Sequence, residues 1–367
     1  METMLPTRVM GVWIRALLLM LLTVGVVVAC QPRDLLRLGD GLAPRPLPTE
    51  APSPTPRSPA IAPVPAAEPT PTPIPQVVGD RLWQDLEALS FERFSVADRD
   101  RAQAYITQQL QAAGWTVTPQ PFDDGAGVNL LAERPGAAPT ADTLLLGAHY
   151  DTVADSPGSD DNATGLAVLL EAARLLGDRP TVRGLKLAFF DLEEAGLRGS
   201  LAMAAEDGLI ADLAGAVVLD MVGYACREPD CQTYPENLPI QPPSNTGDFV
   251  AVVGDIEHPG LLTAFQEARQ SDSPGVFTLP VPFKGLLTPD TMRSDHAPFW
   301  YRGLGAVLVT DTANLRNPHY HTRSDRPETL DRDFFIGTAQ IVVNAVTSIL
   351  DSAEPLGVPG PALPPSG

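Results

Sequence analysis

The stretch LLLGAHYDTVADSPGSDDNATG, residues 144–165, places one imidazole, His149, and among its acids Asp151, Asp160 and Asp161, after an apolar run. Further along, Asp191 closes LAFF and is followed by Glu193 and Glu194. Asp220 closes AVVL, and a loop after VLVT carries His319 and His321. Crowded carboxylates repel one another, so such a gathering needs a cation, a shared proton or open solvent. Any single one of these acids reads as well as a helix cap or a solvated loop charge. A set that also takes in two or three of the chain's five His points to a bound cation instead. Imidazoles and carboxylates without a nearby thiolate suit zinc, with cobalt or manganese as substitutes. The number of donors suits two ions sharing one carboxylate, an arrangement that activates water and polarises a carbonyl or phosphoryl oxygen. One acid must then stay unligated to carry protons.

Residues 81–89 and 98–113 have helical apolar spacing, and residues 115–119 and 128–132 read as strands. Residues 143–148, 184–190, 215–219, 249–254 and 306–310 are short apolar runs expected to be buried strands. Residues 163–176, 197–207, 260–269 and a long segment within 330–351 are expected helices. This alternation predicts an α/β fold with a mixed, largely parallel central sheet and helices on both faces. In such folds, sites form beyond the carboxyl ends of the strands. The acids and imidazoles above stand at such ends.

The flanks differ in composition. Arg8 and Arg15 precede a short apolar core that ends in Val27-Val28-Ala29-Cys30. The core is shorter than the ~20 residues of a membrane span, so residues 1–29 read as a secretion signal, the alternative being an uncleaved anchor that uses the longer run from Val9. The residues before Cys30 resemble a bacterial lipobox, which implies cleavage before Cys30 and lipidation of it. Residues 30–77 form a Pro-, Ala- and Thr-rich linker that cannot bury enough surface to order itself. Residues 78–353 form the folded domain, and the Pro-rich residues 354–367 are an expected disordered tail. The chain is thus expected to be a cell-membrane lipoprotein with its domain outside the cytoplasm. Its formal net charge of −20 argues against nucleic acid as a partner. Cys226 and Cys231 are expected as a local disulfide or two free thiols.

The order HxD, GSDDNATG, DLEEAGLRGS, LDM and HYHTRSD resembles the M28 family of zinc aminopeptidases, over about residues 81–350. The resemblance implies a zinc exopeptidase-like fold, two zinc ions and a peptide or aminoacyl substrate. It assigns His149 and Asp220 to one metal, Glu194 and His321 to the other, and Asp161 to both. Asp151 matches the acid that orients His149, and Glu193 the general base; Asp160 matches no ligand. His321 is preferred to His319 because it directly precedes Thr322. The resemblance also implies a cis peptide between Asp161 and Asn162. Two departures stand out. The Tyr that some members place before SDH is missing, with only Thr288 and Thr291 nearby, although Arg293, Ser294, Asp295 and His296 are expected to line the pocket, His296 equally as a cap of the helix it begins. Residues 226–246 are a polar insertion, either rimming the cleft or forming a surface loop. Rival readings are a glutaminyl cyclase-like acyltransferase with one zinc and a non-catalytic binding domain on a stalk.

Overall fold

The computed structural model describes residues 73–137, 142–235 and 244–358. The expected signal, Cys30, most of the linker and the end of the tail lie outside the described residues. Within them, eight strands form one sheet: β1 Val117–Phe122, β2 Gly127–Arg134, β3 Thr143–His149, β4 Gly184–Phe190, β5 Leu213–Leu219, β6 Phe249–Asp255, β7 Gly275–Val281 and β8 Ala306–Thr310. Their spatial order is β1-β2-β4-β3-β5-β8-β6-β7. β3 pairs in parallel with β4 and β5, β5 with β8, and β6 with β7; the β1–β2, β2–β4 and β6–β8 pairs are antiparallel. The sheet is mixed, with β4, β3, β5 and β8 parallel to one another in its middle.

Period-2 alternation divides each central strand between two cores. Leu144 and Leu146 of β3 face one way, with Leu187, Val217, Val252 and Val307. They pack under α1 Gly79–Leu89, α2 Val96–Ala112, α3 Gly165–Leu176, α6 Pro259–Glu267 and α8 Arg332–Asp351. Leu145 faces the other way, with Ala188, Phe190 and Ala216, under α4 Arg198–Ala205, the single turn α5 Asp207–Ile210 and the short α7 Ala297–Tyr301. Each fully buried aliphatic or aromatic side chain stabilises the fold by roughly 1.5–3 kcal/mol. α8 is long and apolar enough to cross a membrane, but most of it is buried in the first core. Asp331 caps its start by accepting the Phe334 N–H at 2.9 Å.

Four expectations need adjustment. Strand β1 occupies Val117–Phe122 rather than 115–119, and it carries Pro119 and Pro121. The sequence reading assigns no element to Gly275–Val281; here it is an edge strand, where the N–H that Pro280 lacks costs least. Residues 73–77, expected in the linker, dock on the domain: Gln340 receives the Val77 N–H and donates to the Pro75 carbonyl, and Arg179 donates to that of Pro73. Residues 354–358, expected in the tail, also dock on the domain: Arg183 donates to the Glu354 carbonyl and Val358 N–H to that of Glu257. Cys226 and Cys231 are joined in a disulfide.

Candidate metal centre

β3, β4 and β5 run in parallel, so their carboxyl ends open on the same side of the sheet. His149 is the last residue of β3, Asp191 follows β4 and Asp220 follows β5. Between β3 and α3 the chain makes an irregular turn, Ser159–Thr164, whose residues are all buried. Its Asp161–Asn162 peptide bond is cis. Asn162 ties the turn to the end of β5: its amide donates to the Leu219 carbonyl at 2.9 Å, and its oxygen accepts the N–H groups of Met221 and Gly165 at 3.2 and 3.1 Å.

This framework brings two donor groups together. His149 Nε2 stands 3.3 Å from Asp161 Oδ1 and 3.6 Å from Asp220 Oδ1. His321 Nε2 stands 3.1 Å from both Asp161 Oδ2 and Glu194 Oε1. Asp161 thus turns one oxygen to each group. His321 sits in a left-handed backbone conformation, φ 59°, and the Tyr320 ring stacks on its imidazole at 3.7 Å.

The donor chemistry fits divalent cations. Donors bound to a tetrahedral ion at about 2.0–2.2 Å stand about 3.3–3.6 Å from one another, close to the separations here. Glu194 Oε1 and His321 Nε2 are buried with no properly directed hydrogen bond, an expense that a protein avoids unless something else meets them. The electrostatics agree. Burial disfavours charge on His149, but Glu193, Asp151, Asp161 and Asp220 push its pKa well above the usual range. Burial likewise opposes charge on His321, whose pKa the Asp161 and Glu194 carboxylates raise to about 10. Burial and the Asp161 charge lift Glu194 to about 7. Without a cation, protons are drawn into the place where positive charge is wanted.

Glu193 belongs to neither group, though it lines the same cavity. Burial first, with Asp295, Asp220 and Glu194 adding to it against His149, holds its carboxyl well above the ordinary range. Asp151 does something sequence reasoning missed. Its two oxygens accept the backbone N–H groups of Glu193 at 3.0 Å and Glu194 at 3.1 Å, so one carboxylate sets the turn that aims both glutamates. Its contact with His149 Nδ1 is looser, at 3.5 Å, and that nitrogen also faces the Asp151 carbonyl at 3.3 Å.

Other candidates fall outside the donor groups. Asp160 accepts Gly223 N–H and the Asn317 amide. Asp191 accepts Val128 N–H and pairs with Arg99 at 2.9 Å. His319 turns away to Ser324. Asp325 was also overlooked: it accepts the N–H groups of Asp160 and Asp161 at 2.9 and 3.1 Å. Its place in HYHTRSD was the available signal. Of the four residues expected to line the pocket, Arg293 and Ser294 do so. Asp295 and His296 are buried behind them, Asp295 on Ser200 and His296 on the Thr291 carbonyl.

A mixed α/β sheet with paired His–carboxylate groups at its strand ends is the architecture of a metal-dependent hydrolase. Residues 129–346 match peptidase family M28, and the chain belongs to that family. It is 31% identical over 275 residues to the uncharacterized protein YfbL of Escherichia coli K12, covering 70% of this chain and 82% of YfbL. It is 28% identical to the probable leucine aminopeptidase 1 of Trichophyton verrucosum, over 74% of each chain. Among solved structures, the zinc aminopeptidase BSAP of Bacillus subtilis superposes with a TM-score of 0.59 at 15% identity, over 77% of this chain and 97% of that one.

Proposed function

We propose that this M28 peptidase is an aminopeptidase holding two divalent cations, zinc by preference, with Asp161 shared between them. His149 and Asp220 hold one ion; His321 and Glu194 hold the other. The observation that carries the reading is the division of the two Asp161 oxygens between two separate imidazole–carboxylate groups. Bound there, the cations would supply acidified water and Lewis-acid polarisation of the scissile carbonyl. The chain's own residues do the rest. Glu193, which stands outside both ligand groups, takes a proton from the attacking water and returns it to the leaving amine. A carboxyl held above its ordinary pKa is suited to that return step. Asp151 keeps Glu193 and Glu194 in register, so base and ligand cannot move independently.

Elemental analysis of the purified protein, combined with a panel of aminoacyl chromogenic substrates, tests this. The expected result is close to two ions per chain and hydrolysis that is lost on chelation and restored by zinc or cobalt. One ion per chain with cyclisation of N-terminal glutamine would favour the acyltransferase instead. We further propose that the domain is carried outside the cytoplasm on a lipidated Cys30, supported by Val27-Val28-Ala29-Cys30 and the Pro-rich stretch behind it. Normal lipid labelling of Cys30→Ser would refute the anchor.

A further inference from the structure

Arg293 stands in the loop between β7 and α7 and lines the cavity that holds the donor groups, a space of about 460 Å³. It is the single Lys or Arg among the lining residues; the other charged or titratable side chains there are acids, Tyr234, Tyr320 and His321. Its surroundings differ from those of other solvent-facing arginines in the chain. Arg198, Arg227, Arg302, Arg323 and Arg332 each pair with an aspartate. Arg293 has no carboxylate partner among the described residues, although the chain carries a net charge of −20. Neutral groups meet it instead: Nη1 donates to the Asn314 side-chain oxygen at 3.0 Å, and Nη2 reaches the Tyr320 hydroxyl at 3.5 Å. The guanidinium is oriented while its charge stays unmet.

Tyr320 fixes where that charge lies relative to the metal donors. Its ring stacks on the His321 imidazole at 3.7 Å between centroids, and its hydroxyl faces Arg293. The guanidinium is therefore within about three extended residues, at ~3.5 Å each, of the His321 ring. A peptide carries a positive charge on its first residue and a negative one on its last. The cavity presents acids at the donor groups and one guanidinium within a short peptide's reach of them. The fork of a guanidinium matches a carboxylate through two parallel N–H···O bonds. Such a pair contributes little on an open surface. Beside apolar walls such as Leu279, Leu308 and Leu315, solvent damps the field of the guanidinium less. Tyr234 and Pro235 line the same cavity, so the insertion rims the cleft.

We infer that Arg293, oriented by Asn314 beside Tyr320, receives the C-terminal carboxylate of the substrate, and that the enzyme favours di- and tripeptides with a free carboxylate. The inference rests on the aminopeptidase reading and adds a substrate class to it. In a longer peptide the terminal carboxylate lies beyond Arg293, and in an amidated one it is gone.

The test compares Leu-Gly with Leu-Gly-amide on the metal-loaded protein and on Arg293→Gln. The free acid should exceed the amide in kcat/KM by at least about tenfold, the scale of one charged hydrogen-bonded pair. The ratio should fall close to one in Arg293→Gln, and also in the wild type when both peptides are lengthened by three glycines. Should Arg293→Gln not fold, Asn314→Ala frees the guanidinium without removing it and should lower the ratio at least about threefold. Calorimetry gives a readout independent of hydrolysis. A Leu-Gly analogue with a methylene in place of the scissile carbonyl should bind at least about tenfold tighter than its amide. Selective binding of that analogue, lost in Arg293→Gln, with no aminoacyl hydrolysis would keep the carboxylate site and overturn the aminopeptidase reading. Hydrolysis with an acid-to-amide ratio near one in the wild type, or a ratio unchanged in Arg293→Gln, would overturn the carboxylate site. A preference for Leu-Asp-amide over Leu-Asn-amide as large as that for Leu-Gly over its amide would overturn the terminal carboxylate in favour of an acidic side chain.

Discussion

Two populations of buried or half-buried acid surround the strand ends in this protein. Asp151, Asp160, Asp191 and Asp325 each accept backbone N–H groups, supplemented at Asp160 by an amide and at Asp191 by an arginine. Asp161, Asp220 and Glu194 have only imidazole nitrogens facing them among the described residues. The first population is scaffold. Its charge or dipole is met by the fold, and it fixes turns. The second is left unmet by the fold, which is what a cation requires. The difference teaches that hydrogen-bond supply, rather than residue type, separates a structural carboxylate from a prospective ligand.

The sharpest way to break this comparison is the adjacent pair Asp160 and Asp161. Asp161→Asn should release both ions and abolish measurable turnover, well beyond the 10–100-fold loss typical of an outer-partner mutation. Elemental analysis and aminoacyl hydrolysis check it together, and a variant still holding both ions would end the shared-carboxylate assignment. Glu193→Gln comes next: metal content should stay at the wild-type level while kcat falls by roughly two to four orders of magnitude. If it instead loses an ion and keeps partial turnover, Glu193 and Glu194 exchange roles. Asp160→Asn should be mild by contrast. Asp160 faces Gly223 and Asn317 rather than either donor group, and burial with Asp311 and Asp325 already opposes charge on its carboxyl. Both ions should remain, and kcat/KM should change by less than about tenfold.

The smallest effect extends the comparison to imidazoles. His296 is fully buried, and burial lowers its pKa from 6.5 to about 4, although the Thr291 carbonyl works in the opposite direction. Below pH 6.5 the unfolded chain takes up a proton at this site that the folded chain refuses. Stability therefore declines as pH falls from 6.5 towards 4, by at most about 1.4 kcal/mol per unit. In urea unfolding, the gap between the protein and His296→Asn should narrow by on the order of 1–2 kcal/mol between pH 7.5 and pH 5. An equal gap at both pH values would show that this imidazole is not held neutral.

The central strands and α3 were legible because each is a continuous apolar run closed by polar residues, the signature of a segment buried on both faces. β7 was not, since a strand containing Pro280 looks interrupted until its position at the sheet edge is known. The difference between Asp160 and Asp161 could not be read from physics alone. Identical side chains, one residue apart, are distinguished by donors from Gly223 and Asn317 that arrive from distant parts of the chain. Only the resemblance to a family order chose between them. The Asp151 contacts to Glu193 and Glu194 span more than 40 residues and depend on β3 and β4 being neighbours.

The prolines at the rims of the sheet bear on how the protein behaves when concentrated. Exposed strand edges are where β-rich proteins recruit one another into ordered aggregates, because a free row of N–H and C=O groups templates the next strand. Here one rim carries Pro119 and Pro121 and the other Pro280. An incoming strand would meet a discontinuous row of donors at either rim. A protein packed densely at a surface, or held at high concentration in a vial, would on this account stay dispersed through its edges as well as through its charge.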